Sequence, residues 1–475
     1  MSEPILPQRF AETIRNLRQE HVLRFWPHLG RDQRAQLLCD LEAVPFAELP
    51  GLVDAYVLKR PEAVRHGDLA PAEVLSPSGP ESATRNAAAW QCGVEAIRAG
   101  RVCAFTVAGG QGTRLGFDGP KGAYPISAVR NATLFQLFAE SLRGVGRRWG
   151  HTPVWYIMTS PTNHADTERF FRAHGMFGLE PNAVRFFQQG QMPAFMPDGR
   201  IALADRHRLA LSPDGHGGSL RALAASGALR DMQQRGIDII SYFQVDNPLV
   251  QTIDPLFVGF HIQRASEISS KAVRKASDTE KVGNFCMADG RLCVIEYSDM
   301  PESIARERNT DGSRRFDAGS IAIHLLNRDF VERLVAPGSN VRMPWHRADK
   351  RSPILVGDGD AARIESSDIV KLEMFIFDAI PLARNAMVTY VDRAEEFSPV
   401  KNAGGVDSPA TTRRDLVRRA ARWLDAAGCS VPRKPDGEPA ATIEISPAFA
   451  LDAADLRERL PQCPNIREGD RVVLE

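Results

Sequence analysis

No stretch of this sequence is apolar over anything near the roughly 18 residues of a membrane span, which argues against a membrane-spanning helix. Charge of one sign is missing too. Lys plus Arg and Asp plus Glu number 59 each, for a formal net charge of zero. Such balance offers no global field for nucleic acid or a membrane surface, although a local basic pocket remains compatible with it. Cysteine is sparse: Cys39, Cys92, Cys103, Cys286, Cys293, Cys429 and Cys463 are odd in number, and none stand in CxxC spacing. That pattern supports neither a zinc knuckle nor a disulfide framework, and reduced thiols in a cytoplasmic protein are expected. The opening residues, MSEPILPQRF, lack a basic segment followed by an apolar core, so no secretory signal is expected. Internal repeats, heptad arrays and low-complexity tracts are absent as well.

What is present has the texture of a globular chain, with a 43% hydrophobic and a 25% charged fraction over 475 residues. At about 150 residues per domain that length accommodates two to four domains. Residues 1–95 read as helical: Phe10, Ile14, Leu17 and Val22, then Leu37, Leu38 and Leu41, recur near helical spacing. Pro50, Pro61 and Pro71 break the pattern, and SPSGPES at 76–82 reads as a linker. A helix is predicted from Ala87 to Ala99, closed by Gly100.

Strand and helix then alternate. RVCAFTVA (101–108), VWYIMTS (154–160) and SYFQVD (241–246) are predicted strands, and TLFQLFAESLRGVGRRW and SLRALAASGALRDMQQRG are predicted helices. Alternation of this kind implies a largely parallel sheet with helices on both faces, in which ligands bind beyond the carboxyl ends of the strands. In KLEMFIFD, Lys371, Glu373 and Asp378 read as the polar side of a helix whose apolar side is Leu372, Phe375 and Phe377. After a strand-like MVTYVDR (387–393), the last segment carries a predicted helix, RRDLVRRAARWLDAAG, with Thr411 and Thr412 as candidate N-caps. Strand-like ATIEISP and RVVLE close the chain.

The most informative segment is Ala108-Gly109-Gly110-Gln111-Gly112-Thr113-Arg114-Leu115-Gly116, followed by Pro120-Lys121-Gly122. Its glycines permit positive φ and close approach of a ligand to the backbone, so that consecutive N–H groups can face one anion. Arg114 and Lys121 add positive charge at short range, and a triphosphate suits such a loop best. Two common alternatives fail on spacing. The dinucleotide fingerprint GxGxxG is missed because Gly116 falls one residue late after Gly110 and Gly112. The Walker A loop is missed because Lys121 follows proline and precedes glycine. A dinucleotide oxidoreductase is thereby disfavoured.

VAGGQGTRLG with PKG resembles the signature of the UDP-sugar pyrophosphorylases, and specifically their UDP-N-acetylglucosamine pyrophosphorylase branch. The likeness continues in order through HVLRFW, SATRNAAAW, FFQQGQMPA, PDGHGG, VDNPL, KVGNFC, VIEYSDM, FDAGSIAIH, IVKLEMFIFDAI, EEFSPVKNA and EISP. It implies an α/β, Rossmann-like (GT-A-like) nucleotidyltransferase fold with a mixed, mostly parallel sheet and helices on both faces. A helical N-terminal domain (1–95), a catalytic domain (96–390) and a small α/β C-terminal domain (391–475) are expected.

The implied reaction is in-line attack of a sugar 1-phosphate oxygen on the α-phosphorus of UTP, with pyrophosphate leaving. It needs positioning and charge stabilisation rather than a protein nucleophile. By the loop argument and by resemblance, Ala108, Gly109, Gly110, Gln111, Gly112 and Arg114 hold the nucleotide phosphates, and Lys121 neutralises charge between the α- and β-phosphates. Gln188 or Gln189 reads the uracil edge, with Gln189 the assigned one, and Gly215 lies on the nucleotide side. Asp246, at the end of an apolar strand, is placed for a magnesium ion (manganese being the possible substitute) or for the uridine. Lys401 holds the sugar phosphate or the α-phosphate. His216, Gly217, Gly218, Gly283, Glu296, Asp317, Ala318 and Gly319 match motifs that line the family's sugar pocket. Two of these depart from the N-acetylglucosamine branch, which has asparagine in place of His216 and FNAGN where this chain reads Phe316-Asp317-Ala318-Gly319-Ser320. The implied partners are UTP and a sugar 1-phosphate. Other sugars, and a non-catalytic nucleotide-sugar sensor, are the competing readings.

Overall fold

The computed structural model describes residues 5–60, 69–79, 82–336 and 338–475. These fall into two compact units. The first joins the described residues of 5–60 to 189–222 and 342–378, and the remainder form the second. Both cut across the linear boundaries expected at 95 and 390. The reason is a shared core: Phe10, Leu37 and Leu41 pack with Phe195, Ile201, Leu372 and Met374 in one cluster, joining segments far apart in sequence.

In the first unit, helices Gln8–Asn16 and Arg31–Glu42 carry the predicted apolar positions, with Phe10, Ile14, Leu37 and Leu41 buried. A long antiparallel hairpin, His346–Val356 with Arg363–Glu373, joins them. KLEMFIFD is therefore no helix. Lys371 and Glu373 lie on the second hairpin strand, and Asp378 lies in the short helical turn Ile376–Leu382. Of the expected breakers, Pro61 lies outside the described residues, as do Pro80 and Glu81 of the linker.

The second unit is built on a ten-stranded mixed sheet. In chain order its principal elements are α1 (Ser82–Arg98), β1 (Val102–Val107), α2 (Leu134–Trp149), β2 (Trp155–Thr159), β3 (Val184–Gln188), α3 (Ala228–Gln234), β4 (Ile239–Gln244), α4 (Pro255–Gln263), β5 (Ile268–Arg274), β6 (Asn284–Ala288), β7 (Ala318–Asn327), β8 (Ala386–Tyr390) and α5 (Pro409–Ala426). Strands β4, β1, β2 and β3 lie side by side and parallel. Antiparallel β7 and β6 continue the sheet beyond β4.

Every residue of β2 is buried, which requires cover on both faces. On one face Phe135 and Phe138 of α2 meet Trp155, and Phe138 meets Phe243. On the other, the Tyr156 hydroxyl donates to Asp231 of α3 at 2.6 Å. The predicted helix 219–236 is broken by Gly227, whose φ of 79° no helix accommodates. Helix α1 ends as expected, with Gly100 left-handed at φ 71°. Helix α5 is capped by Ser408 rather than by Thr411 or Thr412, with Pro409 at its first position.

The cysteine expectation is corrected: Cys429 and Cys463 form a disulfide, with Cα atoms 5.2 Å apart. Their 34-residue separation fits no local motif, and only the C-terminal fold brings them together. Among the described residues no helix is long and apolar enough to cross a membrane.

Helices α1 and α4 pack backbone against backbone at two glycines. A Cβ at Gly93 would lie 1.8 Å from the Pro255 carbonyl oxygen, and one at Gly259 would lie 1.7 Å from that of Ala89. No rotamer change relieves a clash with main chain. Gly93→Ala and Gly259→Ala are each expected to lower stability by about 1–3 kcal/mol or more, read as a fall in the denaturant midpoint.

Candidate active site

From β1 the chain adds β2 and β3 on one side, then returns to lay β4 against the opposite side of β1. The order reverses between β1 and β4, and a crevice opens beyond the carboxyl ends of those strands. Both loops leaving there carry predicted residues. The glycine loop follows β1, and Asp246 follows β4. The Val245 N–H donates to Val107 O at 3.2 Å, which keeps the two exits side by side.

The glycine loop doubles back on itself. The Lys121 N–H donates to Gly110 O at 3.1 Å and the Gly112 N–H to Gly119 O at 2.9 Å. Asn163, fully buried, donates its amide to Ala108 O at 3.0 Å and to Gly110 O at 3.2 Å. Nothing lies within 4 Å of a Cβ built at Gly110, so a ligand can approach the main chain there. Gly112 and Gly122 serve packing instead, since a Cβ would lie 2.7 Å from the Phe117 ring or 2.2 Å from the Phe135 ring. Arg114 is exposed, on the turn Thr113–Leu115.

Lys121 Nζ stands 3.7 Å from Asp246 Oδ2, with the two side chains 17% and 14% exposed. The segment carrying Lys401 is fastened beside them. Asn247 donates to Glu396 O at 2.7 Å and accepts from the Ser398 N–H at 3.1 Å, and the Val400 N–H donates to Asp246 O at 2.8 Å. The Lys401 N–H then donates to the carbonyl of Asp407 at 2.7 Å. The Asp407 carboxyl lies above the usual carboxylate range, because burial and the carboxylates of Asp246 and Glu280 outweigh the pull of Lys401. Lys121, Asp246, Lys401 and Asp407 thus form one charged group at the crevice.

Beneath it, fully buried Lys271 Nζ reaches Asp254 Oδ2 at 2.7 Å and Glu396 Oε2 at 2.6 Å. Burial alone would lower the lysine pKa, but the two carboxylates outweigh it and hold the ammonium above its ordinary value.

The predicted sugar residues of this unit adjoin one another along β6 and β7. Ser320 N–H donates to Gly283 O at 2.8 Å, and a Cβ at Gly283 would come within 3.5 Å of Glu296 Oε1. Ala318 and Gly319 begin β7, with Gly319 opposite Asn284. One Asp317 carboxylate oxygen accepts from Arg274 and the other from the Tyr390 hydroxyl. Lys275, which sequence reasoning missed, is buried here and donates to Asn284 Oδ1 at 2.9 Å.

Gln189 is buried in the first unit, while Gln188 is exposed at the end of β3. Gln189 Nε2 donates to Asp214 Oδ1 at 3.1 Å and to Gly215 O at 2.7 Å. Asp214 was not singled out in the sequence. Burial pushes its carboxyl up to about 6, against a partly offsetting hydrogen bond from Gln189. His216 stacks on Phe375 with ring centroids 5.3 Å apart, and its Nδ1 accepts from the Ile376 N–H at 3.1 Å. Burial lowers it to about 4, so the ring is neutral. The Gly217 N–H donates to Met374 O at 2.8 Å.

A glycine-loop crevice at the switch point of a parallel sheet, lined by fixed cations, marks a nucleotide-binding α/β protein. Comparison with known proteins narrows this. The sequence model of the family described as UTP–glucose-1-phosphate uridylyltransferase matches residues 85–475. The human UDP-N-acetylhexosamine pyrophosphorylase-like protein 1 is 36% identical, covering 96% of either chain. The UDP-N-acetylglucosamine pyrophosphorylase of Saccharomyces cerevisiae is 35% identical over 87% of this chain and 90% of its own. A crystal structure of the uridine diphosphate N-acetylglucosamine pyrophosphorylase from Trypanosoma brucei, in complex with inhibitor, superposes with a TM-score of 0.78 at 26% identity, covering 96% of each chain. The chain belongs to the UTP–glucose-1-phosphate uridylyltransferase family.

Proposed function

We propose that this chain joins UTP to N-acetylglucosamine 1-phosphate, giving UDP-N-acetylglucosamine and pyrophosphate. The observation that carries the reading is the charged pair Lys121–Asp246, 3.7 Å apart at the mouth of the glycine loop. An oxygen of the sugar phosphate attacks the α-phosphorus, the bond from that phosphorus to the β-bridging oxygen breaks, and its electron pair leaves with pyrophosphate. Lys121 stabilises the charge growing on the bridging oxygen, while Lys401 holds the incoming phosphate. Loop N–H groups and Arg114 hold the triphosphate.

Magnesium, with manganese as a substitute, belongs to the same proposal. Among the described residues no group of three or more His, Cys, Asp or Glu side chains could cage a metal ion. A lone carboxylate such as Asp246 suits a cation whose other ligands are phosphate oxygens and water. The ion supplies neutralisation of phosphate charge.

The N-acetylated sugar is favoured by the names that the human and yeast relatives bear. A second reading, glucose or galactose 1-phosphate, is favoured by His216, which stands where the N-acetylglucosamine branch has asparagine. Pyrophosphate release measured with each sugar 1-phosphate separately decides between them. Greatest kcat/KM with N-acetylglucosamine 1-phosphate is expected, and release with none would leave a nucleotide-sugar sensor. His216→Asn is expected to shift the ratio of kcat/KM values toward the N-acetylated sugar by about tenfold, because a hydrogen-bonding side chain in a motif that resembles the family's sugar pocket is exchanged. An unchanged ratio removes His216 as a sugar reader.

A further inference from the structure

Gln189 carries an amide whose two ends look alike in shape but differ in chemistry: NH2 donates and Oε1 accepts. Its Nε2 faces two oxygens, Asp214 Oδ1 at 3.1 Å and the Gly215 carbonyl at 2.7 Å. A carboxylate and a carbonyl are acceptors only, so turning the amide over would set oxygen against oxygen at both contacts. Both amide hydrogens are therefore taken up inside the protein. Oε1 is the atom left over, and it has no partner among the described residues.

Space for the Asp214 carboxylate is made by two missing side chains. A Cβ at Gly190 would lie 2.6 Å from Asp214 Oδ2, and one at Gly218 would lie 2.1 Å from Oδ1. The main chain on either side fixes the residue that carries it. The Asp214 N–H donates to Gly190 O at 3.3 Å, and Asp214 O accepts from the Met374 N–H at 2.8 Å. With its pKa near 6, Asp214 is ionised, and hence an acceptor only, at neutral pH.

We propose that Asp214 is a positioning residue for base selection, locking the Gln189 amide so that only its acceptor oxygen meets the nucleotide base. The inference rests on the reading of the protein as a uridylyltransferase and deepens it. Uracil presents an N–H at position 3, which a fixed acceptor receives. Cytosine presents a lone pair at the same position, and two acceptors repel. Recognition of uridine is thus written in the orientation of one amide, and that orientation is imposed by a carboxylate that needs no contact with the ligand.

The test is the ratio of UTP to CTP dissociation constants, measured by calorimetry on the full chain with folding checked by circular dichroism. The wild-type protein is expected to prefer UTP by at least about tenfold, the scale of one charge-assisted or lost hydrogen bond. Asp214→Ala removes one of the two acceptors that hold the amide, leaving only the Gly215 carbonyl, and is expected to reduce that ratio at least about fivefold, with CTP gaining as UTP weakens. Asp214→Asn still offers an acceptor oxygen to Gln189 Nε2 and is expected to keep the wild-type ratio. A purely structural role for Asp214 would weaken both nucleotides alike. Unchanged preference in folded Asp214→Ala overturns the inference, and so does loss of preference in Asp214→Asn, which also decides the matter where the alanine variant does not fold. Failure of wild-type protein to bind UTP contradicts instead the uridylyltransferase reading on which the inference rests.

Discussion

Lys121→Ala is expected to lower kcat by about 10²- to 10³-fold while leaving the protein folded, the scale seen when one preorganised charge-stabilising group is removed. The ammonium is three-quarters or more enclosed at 17% exposure, so water does not replace it efficiently when charge grows on the leaving phosphate. Its only described ion pair is with Asp246 at 3.7 Å, too long for a tight structural bridge. Removing it therefore costs little stability. KM for UTP should rise far less than kcat falls, because the loop main chain still holds the triphosphate. Near-normal kcat in the variant would remove Lys121 from the reacting centre.

Lys271→Met is the second large effect, and it acts on stability. The substitution leaves Asp254 and Glu396 facing one another without a cation in a fully buried place. A loss of about 3–5 kcal/mol is expected, read from the shift in a urea unfolding curve. Asp254 also caps α4, accepting from the Leu256 and Phe257 N–H groups, while Glu396 begins the segment that ends in Lys401. The damage should therefore reach activity through the position of Lys401. Adding Glu396→Leu to Lys271→Met is expected to recover part of the lost stability, since one unpaired carboxylate then disappears. A double variant no more stable than the single one would show that charge is not what holds this place together.

How much of this was legible depended on distance along the chain. Strands β1, β2 and β4 were readable because buried parallel strands are continuous apolar runs, and the glycine loop because its glycines and cations are consecutive. The loop's support was harder to see. Asn163 holds Ala108 and Gly110 from 55 and 53 residues away, and nothing in TSPTN alone points back to the glycines. Asp214 stood inside the motif PDGHGG and still went unremarked, because its role depends on space left at Gly190 and on a glutamine 25 residues earlier. The Lys271–Glu396 pair spans 125 residues, and only the fold brings it together.

Misreadings follow the same logic. KLEMFIFD has apolar residues at spacings that suit a helix, but Lys371 and Glu373 pair across the hairpin with Ala348 and His346, and the long-range ladder prevails over local periodicity. The partners of Asp317, Arg274 and Tyr390, lie 43 and 73 residues away and are not visible in its motif. For α5, Pro409 at the first helical position was the signal that pointed to Ser408 as the cap.

The central claim is that the crevice between β1 and β4 passes the uridylyl group of UTP to a sugar phosphate. Phosphorus NMR of the protein with UTP, magnesium and N-acetylglucosamine 1-phosphate, its phosphate labelled with oxygen-18, follows every phosphorus and every labelled oxygen at once. The account predicts a UDP-sugar retaining all of the label and an equal amount of unlabelled pyrophosphate. Label appearing in released phosphate or pyrophosphate, or UTP persisting unchanged beside the folded protein, would contradict it.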